Sequence, residues 1–336
     1  MILIDALYIN NGGGMVMLNY LISKLEQQNI DCFYLLDDRI PVNSFNIKST
    51  NKISYTKASL LNRYFFYKKN KNAFKSVFCL ANIPPNFKLD CKTITYFHST
   101  LYIDLSVDNS FLDQTKISLK RFFLKRFLKN SDFWLVQTNL IKKSFKTKFK
   151  IDEKKILVKP FFPVLGKTDN RFNKNSLTFL YVSIATAHKN HKRLIESFCE
   201  FYDKHKKGKL LLTVGEEFED VLSLINNKLE LGYPIENVGY IKRDDLIKYY
   251  ELSEYFIFPS LTESFGLGLV EAIECNCKII AADLAYTYTV CEPSIVFNPL
   301  SVESMVNAFE QTLNNNVKES KSYIVDMIDD VVSFIK

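Results

Sequence analysis

The chain has 336 residues, of which 47% are hydrophobic and 24% are charged. This length and composition exclude disordered and collagen-like chains and favour two folded domains. No apolar run approaches the roughly 18 residues of a membrane-spanning helix, and the first residues lack the cationic stretch of a signal peptide.

Seven cysteines without C-x-x-C spacing are typical of reduced thiols in the cytoplasm. Cys275 and Cys277 form a single C-x-C, which lacks the second pair of a zinc site.

Charge is divided unevenly along the chain. Residues 1–170 carry a net charge of +14, whereas residues 171–336 carry −7. Such an asymmetry supports two domains that face different partners, and the partner of the first domain should be anionic.

The first half of the chain alternates apolar runs of strand length with helical patterns. The run Ile2–Tyr8 is followed by a glycine-rich turn, a helical pattern from Leu18 to Leu25 and a second apolar run. This order predicts a βαβ unit and a parallel sheet. The later strands are predicted at Cys32–Leu36, Ser76–Leu80, Thr93–Phe97 and Phe133–Val136.

A second α/β series begins after a break that we interpret as the domain linker. The break comprises Pro160–Pro163 and the polar stretch Lys167–Ser176. We predict two Rossmann-like, doubly wound parallel-sheet domains, residues 1–165 and 166–317, facing a cleft, with residues 318–336 as a helix that crosses back to the first domain. The strands of the second domain are predicted at Leu177–Ser183, Leu210–Val214, Asn237–Ile241, Tyr255–Phe258 and Lys278–Ala282.

The most informative segment is Pro259–Ala272, with the sequence PSLTESFGLGLVEA. It follows a predicted strand, turns at Gly266 and opens a helix near Leu267. Unpaired N–H groups and the positive end of the dipole allow phosphates and hydroxyls to bind at such a helix N-terminus. The carboxylates of Glu263 and Glu271 are suited to accept hydrogen bonds from paired sugar hydroxyls. A capped core helix with solvated glutamates is the alternative.

The whole segment resembles the signature P-S-x-x-E-x-F-G-L-x-x-x-E-A of glycosyltransferase family 4, the group 1 glycosyltransferases. The resemblance implies a GT-B fold, a nucleotide-sugar donor bound by the second domain and an acceptor bound by the first. It implies that Glu263 contacts the donor sugar and that Glu271 holds the ribose diol. The residues implied to surround the donor diphosphate are Ser264, Phe265, Gly266 and Leu267.

A second match lies just after the first predicted strand of the second domain. Lys189, followed by Asn190, matches a Lys-Asn pair whose lysine neutralises the donor diphosphate in the family. A solvated lysine at a helix start is the alternative. Many members also have an arginine five residues earlier, where this chain has Ile184. Either Lys192 or Arg193 substitutes for that arginine, or the diphosphate is bound differently.

Two further matches fall in the first domain. Gly12, Gly13 and Gly14 precede a helix and resemble the family's glycine-rich loop, which approaches the donor. A tight turn is one alternative, and a dinucleotide fingerprint is another, although its third glycine position is Met17. His98 ends a predicted strand and resembles the histidine that contacts the donor sugar near its reacting carbon. A lone histidine at a strand end is also often structural.

The histidines beside Lys189 are His188 and His191, which indicate local loop chemistry rather than metal ligation. Enzymes of this type in the family need no metal. We therefore expect no cofactor, since the nucleotide sugar is a substrate.

The region from Lys116 to Lys159 has 14 basic residues and three acidic ones. A helix over Ile117–Asn130 would place Leu119, Phe123, Leu124, Phe127 and Leu128 on one side and the cations on the other, with Phe122 among them. The cations are Arg121, Lys125, Arg126 and Lys129. This surface is either solvated or docks on an anionic membrane leaflet, and no recognition motif supports nucleic acid.

The resemblance implies a retaining glycosyltransferase, and the sequence as a whole predicts that it is cytoplasmic and peripherally bound to the inner face of the cell membrane. We expect transfer of a hexose or N-acetylhexosamine from a UDP- or GDP-linked donor to a lipid-linked glycan of a bacterial surface polysaccharide. The alternatives are a nucleotide-sugar epimerase of the same fold, a nicotinamide oxidoreductase and a non-catalytic scaffold in a glycan-assembly complex.

Overall fold

The structure, a computed structural model, describes residues 1–103, 111–166, 174–314 and 316–336. Within these ranges the chain divides into two compact units. The first unit contains residues 1–103, 111–163 and 325–336, and the second contains residues 164–166, 174–314 and 316–324. Residues 167–173 of the predicted linker lie outside the described residues.

The first unit is built on a seven-stranded parallel sheet with the order β3-β2-β1-β4-β5-β6-β7. The chain starts in the middle of the sheet, extends to one edge and then returns to build the other side. The strands are β1 (Ile2–Asp5), β2 (Cys32–Asp37), β3 (Lys52–Thr56), β4 (Ser76–Cys79), β5 (Lys92–Phe97), β6 (Phe133–Val136) and β7 (Ile156–Val158).

Helices cover both faces of this sheet. Successive side chains of a strand point to opposite faces, so Ile2 and Ile4 pack with α1 whereas Leu3 packs with α2. In the described part of this unit, the α-helices between the strands are α1 (Gly12–Gln27), α2 (Leu60–Lys69), α3 (Phe111–Phe127) and α4 (Asn139–Phe149).

The second unit contains a six-stranded parallel sheet with the order β10-β9-β8-β11-β12-β14. Two short strands pair separately as an antiparallel ribbon, β13 with β15. The strands are β8 (Asn175–Tyr181), β9 (Lys209–Leu212), β10 (Ile235–Asn237), β11 (Ser253–Phe258), β12 (Lys278–Ala282), β13 (Cys291–Glu292), β14 (Ile295–Phe297) and β15 (Lys321–Ser322).

Aromatic side chains form much of the core beneath this sheet. The rings of Phe179 and Phe309 lie 4.8 Å apart in an edge-to-face arrangement, and Phe198 lies 5.8 Å from Phe309. These contacts join β8 to two helices on one face. The helices of the second unit are α5 (His191–His205), α6 (Glu219–Glu230), α7 (Arg243–Leu252), α8 (Leu267–Glu274), α9 (Ala285–Val290) and α10 (Val302–Gln311).

The last helix, α11 (Ile328–Ile335), belongs to the first unit. Its apolar side chains join the core cluster of α1, and the N–H of Met327 donates to the carbonyl of Pro160 at 2.9 Å. The prediction of a helix from Lys318 was wrong for its first ten residues, which include β15. None of the helices in the described ranges is long and apolar enough to cross a bilayer.

Candidate functional site

The loops that follow β8 and β11 lie at the point where the strand order of the second sheet reverses. β8 pairs with both β9 and β11, so the chain leaves β8 toward one side and later returns to the other. In open parallel sheets, ligands bind at the carboxyl ends of the strands at such a switch point. The segments around Lys189 and Pro259–Ala272 both occupy this position.

Buried hydrogen bonds hold the two loops together. The N–H of Leu261 donates to the carbonyl of His188 at 2.8 Å. The hydroxyl of Tyr181, at the end of β8, donates to the carbonyl of Lys189 at 2.9 Å and lies 3.1 Å from Oγ of Ser260. Tyr181 and Ser260 are fully buried, so the loops rest on a rigid base.

Lys189 and Glu263, which are 74 positions apart in sequence, form an ion pair in this structure. The Lys189 Nζ lies 2.5 Å from Oε1 of Glu263, and 5.8 Å from the centre of the Phe258 ring. The side chains are only 16% and 12% exposed. Shielding from water strengthens their attraction compared with a surface pair, so the ammonium is held close to the carboxylate at this end of the sheet.

The helix α8 begins at Leu267, after a short turn that starts at Glu263. Gly266 precedes the helix with φ of 79°, a conformation that favours glycine, and a Cβ there would lie 3.2 Å from Cδ1 of Leu269. Phe265 is buried and anchors the turn, while Ser264 and Leu267 are partly exposed. Since glycine has no polar side chain, it cannot cap the first N–H groups of α8 itself.

Glu271 lies one turn inside α8, where it is almost fully buried. Arg243 donates from Nε and Nη2 to Oε1 of Glu271 at 3.1 and 2.8 Å, and the hydroxyl of Tyr250 donates to Oε2 at 3.0 Å. Burial raises the pKa of Glu271, while the charge of Arg243 and the hydrogen bond from Tyr250 oppose this shift. The sequence analysis missed Arg243 and Tyr250, because neither belongs to a recognised motif.

The two cations considered as substitutes for the missing arginine contact other protein groups. Nη1 of Arg193 donates to Oδ1 of Asn190 at 2.6 Å, and Lys192 pairs with Asp220 at 3.6 Å. Ile184 itself is exposed. Lys189 is therefore the cation that the structure places beside Glu263.

His191 packs against Tyr181 at a ring-centre distance of 4.7 Å. Burial, together with a smaller effect of the neighbouring Lys189, lowers the pKa of His191 to about 3. Burial also lowers the pKa of His188. Both imidazoles are therefore neutral at pH 7 and add no positive charge to this loop.

The predicted residues of the first unit also meet. α1 begins at Gly12, and a Cβ at Gly14 would lie 3.9 Å from Cε1 of His98. Nε2 of His98 lies 3.0 Å from the carbonyl oxygen of Leu80, and its backbone N–H donates to Oδ1 of Asn82 at 2.7 Å. Burial lowers the pKa of His98 to about 4, so its ring is neutral at pH 7.

The basic helix α3 differs from its predicted arrangement in two respects. Leu119, predicted to pack inward, is 59% exposed, and Phe122 is 61% exposed, whereas Leu124 is fully buried. Arg121 is only partly exposed, because its Nε donates to the carbonyl of Tyr102 at 2.9 Å. Of the four predicted cations, Lys125, Arg126 and Lys129 are exposed.

Comparison with known proteins supports this interpretation of the second unit. Residues 167–325 match the family model of the group 1 glycosyl transferases. An uncharacterized glycosyltransferase of Methanocaldococcus jannaschii is 28% identical over 170 residues, which are 47% of this chain and 41% of that protein. The serotype-specific mannosyltransferase WbdA of Escherichia coli is 33% identical over 101 residues, which are 30% of this chain and 12% of WbdA. The chain thus spans less than half of each relative.

The fold is shared over nearly the whole chain with a solved structure. Sucrose-phosphate synthase from Thermosynechococcus elongatus superposes with a TM-score of 0.75 and 18% sequence identity, covering 94% of this chain and 89% of that one. The predicted GT-B class, with two Rossmann-like parallel-sheet domains, is confirmed. The resemblance to the group 1 glycosyltransferases that the sequence predicts is thus confirmed for residues 167–325, which are less than half of the chain.

Proposed function

We propose that this protein is a retaining glycosyltransferase that uses a UDP- or GDP-linked hexose or N-acetylhexosamine. Its acceptor is a lipid-linked glycan in the synthesis of a bacterial surface polysaccharide. The observation that carries this proposal is the arrangement at the switch point of the second sheet. There, Lys189 and Glu263 form a shielded pair directly before the N-terminus of α8, and Glu271 follows one turn later.

The groups at this position match the parts of a nucleotide-sugar donor. A compact ammonium such as Lys189 stabilises the charge that develops on a departing diphosphate. The first N–H groups of α8 add the positive end of a helix dipole. Glu263 and Glu271 provide acceptors for a sugar hydroxyl and for the ribose diol. We propose that donor phosphates take over Lys189 from Glu263, which frees that carboxylate for the sugar.

In the reaction, the bond between the anomeric carbon and the diphosphate oxygen breaks. The acceptor oxygen bonds to the same face of that carbon, and its proton passes to the leaving phosphate oxygen. The sugar therefore keeps its anomeric configuration without a covalent enzyme intermediate, and no metal takes part. Contacts of His98 and Gly12–Gly14 with the donor sugar remain predictions, supported by the resemblance of these residues to the family.

Product analysis by mass spectrometry tests this function. The protein would be incubated with UDP- and GDP-linked sugars, EDTA, and lipid extracts as acceptors. We expect a glycosylated lipid that retains the donor's anomeric configuration, and a loss of about 100- to 1,000-fold in Lys189→Met. Lys204→Met, which removes an exposed lysine near the other end of α5, is the matched control and should retain activity. An isomerised free nucleotide sugar would favour the epimerase, and failure to bind any nucleotide would favour the scaffold.

Two helices of the first unit support the membrane-bound part of the proposal. α3 exposes Leu119 and Phe122 near the exposed cations Lys125 and Arg126 of the same helix and Lys129 just beyond its end. α2 exposes Leu61 and Phe65, which are four residues apart and therefore share one side of the helix. Exposed apolar side chains beside Lys and Arg are typical of helices that bind the interface of an anionic bilayer.

The two helices also lie on the same face of the first sheet. Leu3 of β1 packs in the cluster of α2, and Phe97 of β5 packs in that of α3, whereas Ile4 and Tyr96, their neighbours in sequence, point to the opposite face. We therefore assign this face of the first unit to the membrane.

Vesicle flotation measures the predicted attachment. Because each cation contributes about 1 kcal/mol, replacing Lys125, Arg126 and Lys129 with glutamine should weaken binding to phosphatidylglycerol vesicles by roughly 150-fold at low salt. A control with three exposed lysines of the second unit replaced should bind like the wild type. Its residues are Lys192, Lys204 and Lys206. Equal losses in both variants, or no binding by the wild type, would contradict a membrane face on the first unit.

A further inference from the structure

The carboxylate of Glu271 is already engaged by two side chains of α7. Arg243 is the first residue of that helix and Tyr250 follows seven residues later, so both lie on the same side of α7. Arg243 donates twice to Oε1, and Tyr250 donates once to Oε2. The Arg243 and Glu271 side chains are only 22% and 7% exposed. The contact is therefore built into the interior of the second unit.

Burial makes the charge of Glu271 dependent on these partners. Desolvation raises the pKa of the carboxyl, and the nearby Glu274 raises it further, whereas Arg243 and Tyr250 lower it. Cys275 and Cys277 lie near Tyr250, and burial keeps both thiols neutral. Without the guanidinium, the carboxyl would bind a proton at a higher pH than it does in the wild type.

The same contacts fix the direction of the carboxylate while leaving it able to accept more hydrogen bonds. An ionised carboxylate has about four acceptor positions, and the hydrogen bonds from Arg243 and Tyr250 use three. A protonated carboxyl would accept more weakly from a hydroxyl group, because it lacks the charge that strengthens such a bond.

We propose that Arg243 and Tyr250 are positioning residues of the donor site, which hold the Glu271 carboxylate ionised and oriented to accept a ribose hydroxyl. This inference rests on the proposed function, in which Glu271 binds the ribose. The guanidinium acts through Glu271, because its Nε and Nη2 both donate to Oε1 and hold that oxygen in place. The two residues extend the donor site from the motif helix α8 to α7.

The test is the pH dependence of nucleotide affinity. UDP-glucose and GDP-mannose would be titrated into the full chain by calorimetry between about pH 6 and about pH 8.5, because their diphosphates, unlike the terminal phosphate of UDP or GDP, do not titrate in this range. The proteins compared are the wild type, Arg243→Gln, Arg243→Lys and Glu271→Gln. Wild-type affinity should change little over this range. In Arg243→Gln the affinity should fall as the pH decreases, by up to about tenfold per unit below the variant's pKa for Glu271.

Arg243→Lys keeps the positive charge, so its affinity should depend on pH almost as little as that of the wild type. It should bind the nucleotide more weakly at every pH, because an ammonium does not reproduce the two guanidinium hydrogen bonds to Oε1. Glu271→Gln cannot titrate at this position, so it should bind weakly at every pH. Wild-type affinity in Arg243→Gln would overturn the proposal. So would an equal loss at every pH, which indicates only a structural role, or tighter binding, which indicates competition with the ribose.

Tyr250→Phe provides a second variant if Arg243→Gln does not fold, since it removes one hydroxyl and keeps the buried ring. It should show the same pH trend with a smaller amplitude, and a flat profile would overturn the role of Tyr250. Wild-type titrations with UDP and 2′-deoxy-UDP separate this inference from the function on which it rests. If the wild type binds neither UDP nor GDP, the proposed function fails. If it binds but does not distinguish the deoxy nucleotide, the ribose role of Glu271 fails.

Discussion

Replacing Arg63 with methionine would leave the carboxylate of Asp5 buried without its counter-charge. Both side chains are 1% exposed, and Arg63 Nη2 lies 2.7 Å from Oδ2 of Asp5. The guanidinium also donates to the carbonyls of Ile83 and Pro84 at 2.9 and 2.6 Å. Removing one partner of a buried pair costs about 3–5 kcal/mol. We expect the upper part of that range, because two carbonyl oxygens lose their donor as well.

Urea unfolding followed by tryptophan fluorescence measures this loss. The chain has one tryptophan, Trp134, which is buried in the core of the first unit and therefore reports on that unit. The double variant Arg63→Met/Asp5→Asn should be at least about 2 kcal/mol more stable than the sum of the single changes predicts. Lys68→Met, on the exposed side of the same helix, should stay within about 0.5 kcal/mol of the wild type. A single-variant loss below about 1 kcal/mol, or strict additivity, would refute the reasoning.

Three further predictions concern protonation, backbone conformation and thiol reactivity. Because burial lowers the pKa of His98 to about 4, its ring proton shifts in NMR spectra should not titrate near pH 6.5, and native stability should fall as the pH decreases from about 6.5 to about 4. Gly266→Ala should destabilise the second unit by about 1–2 kcal/mol in thermal unfolding, because a side chain is strained at its positive φ. Gly13 lies in α1, where an added Cβ would meet no neighbouring atom within 4 Å. Gly13→Ala should therefore leave the stability of the first unit unchanged or raise it slightly. Thiol labelling of the native chain should be slow, with the partly exposed Cys91 and Cys275 reacting before the buried cysteines; equal rates for all seven would contradict the burial pattern.

The part of the site that could be predicted from the sequence is the part that lies on continuous segments. The turn at Gly266 and the start of α8 at Leu267 follow from Pro259–Ala272 alone. The meeting of Lys189 with Glu263 could also be anticipated, since the carboxyl ends of parallel strands share one edge of a sheet. Such features depend on local conformation and on the alternation of strands and helices.

The contact of Arg243 and Tyr250 with Glu271 could not be predicted in this way. It depends on how α7 packs against α8, and nothing in the sequence near Arg243 marks it as a buried partner. The exposure of Leu119 was missed for the same reason. Helical periodicity shows which side of a helix is apolar, but not how much of that side the neighbouring core covers.

Five strands were also missed, and three of them lie at the edges of the two large sheets. β3 (Lys52–Thr56) and β7 (Ile156–Val158) are the edge strands of the first sheet, and β14 (Ile295–Phe297) is an edge strand of the second. β3 is largely polar, and the other two have only three residues, so neither an apolar run nor an alternating pattern identifies them. The chain around β15 was predicted as helix. It is extended because it pairs with β13, and this tertiary contact leaves no signal in the local sequence.

The most direct test of the donor site is hydrogen–deuterium exchange of the full chain with UDP- and GDP-linked sugars at about 100 times their dissociation constants, where bound ligand stabilises the native state by about 2.7 kcal/mol. One nucleotide class should slow exchange in peptides covering residues 186–191 and 263–271, which contain Lys189, Glu263, Gly266 and Glu271. Protection confined to residues 9–15, or obtained only with NAD, would place the ligand on the glycine loop of the first unit and contradict the proposed donor site.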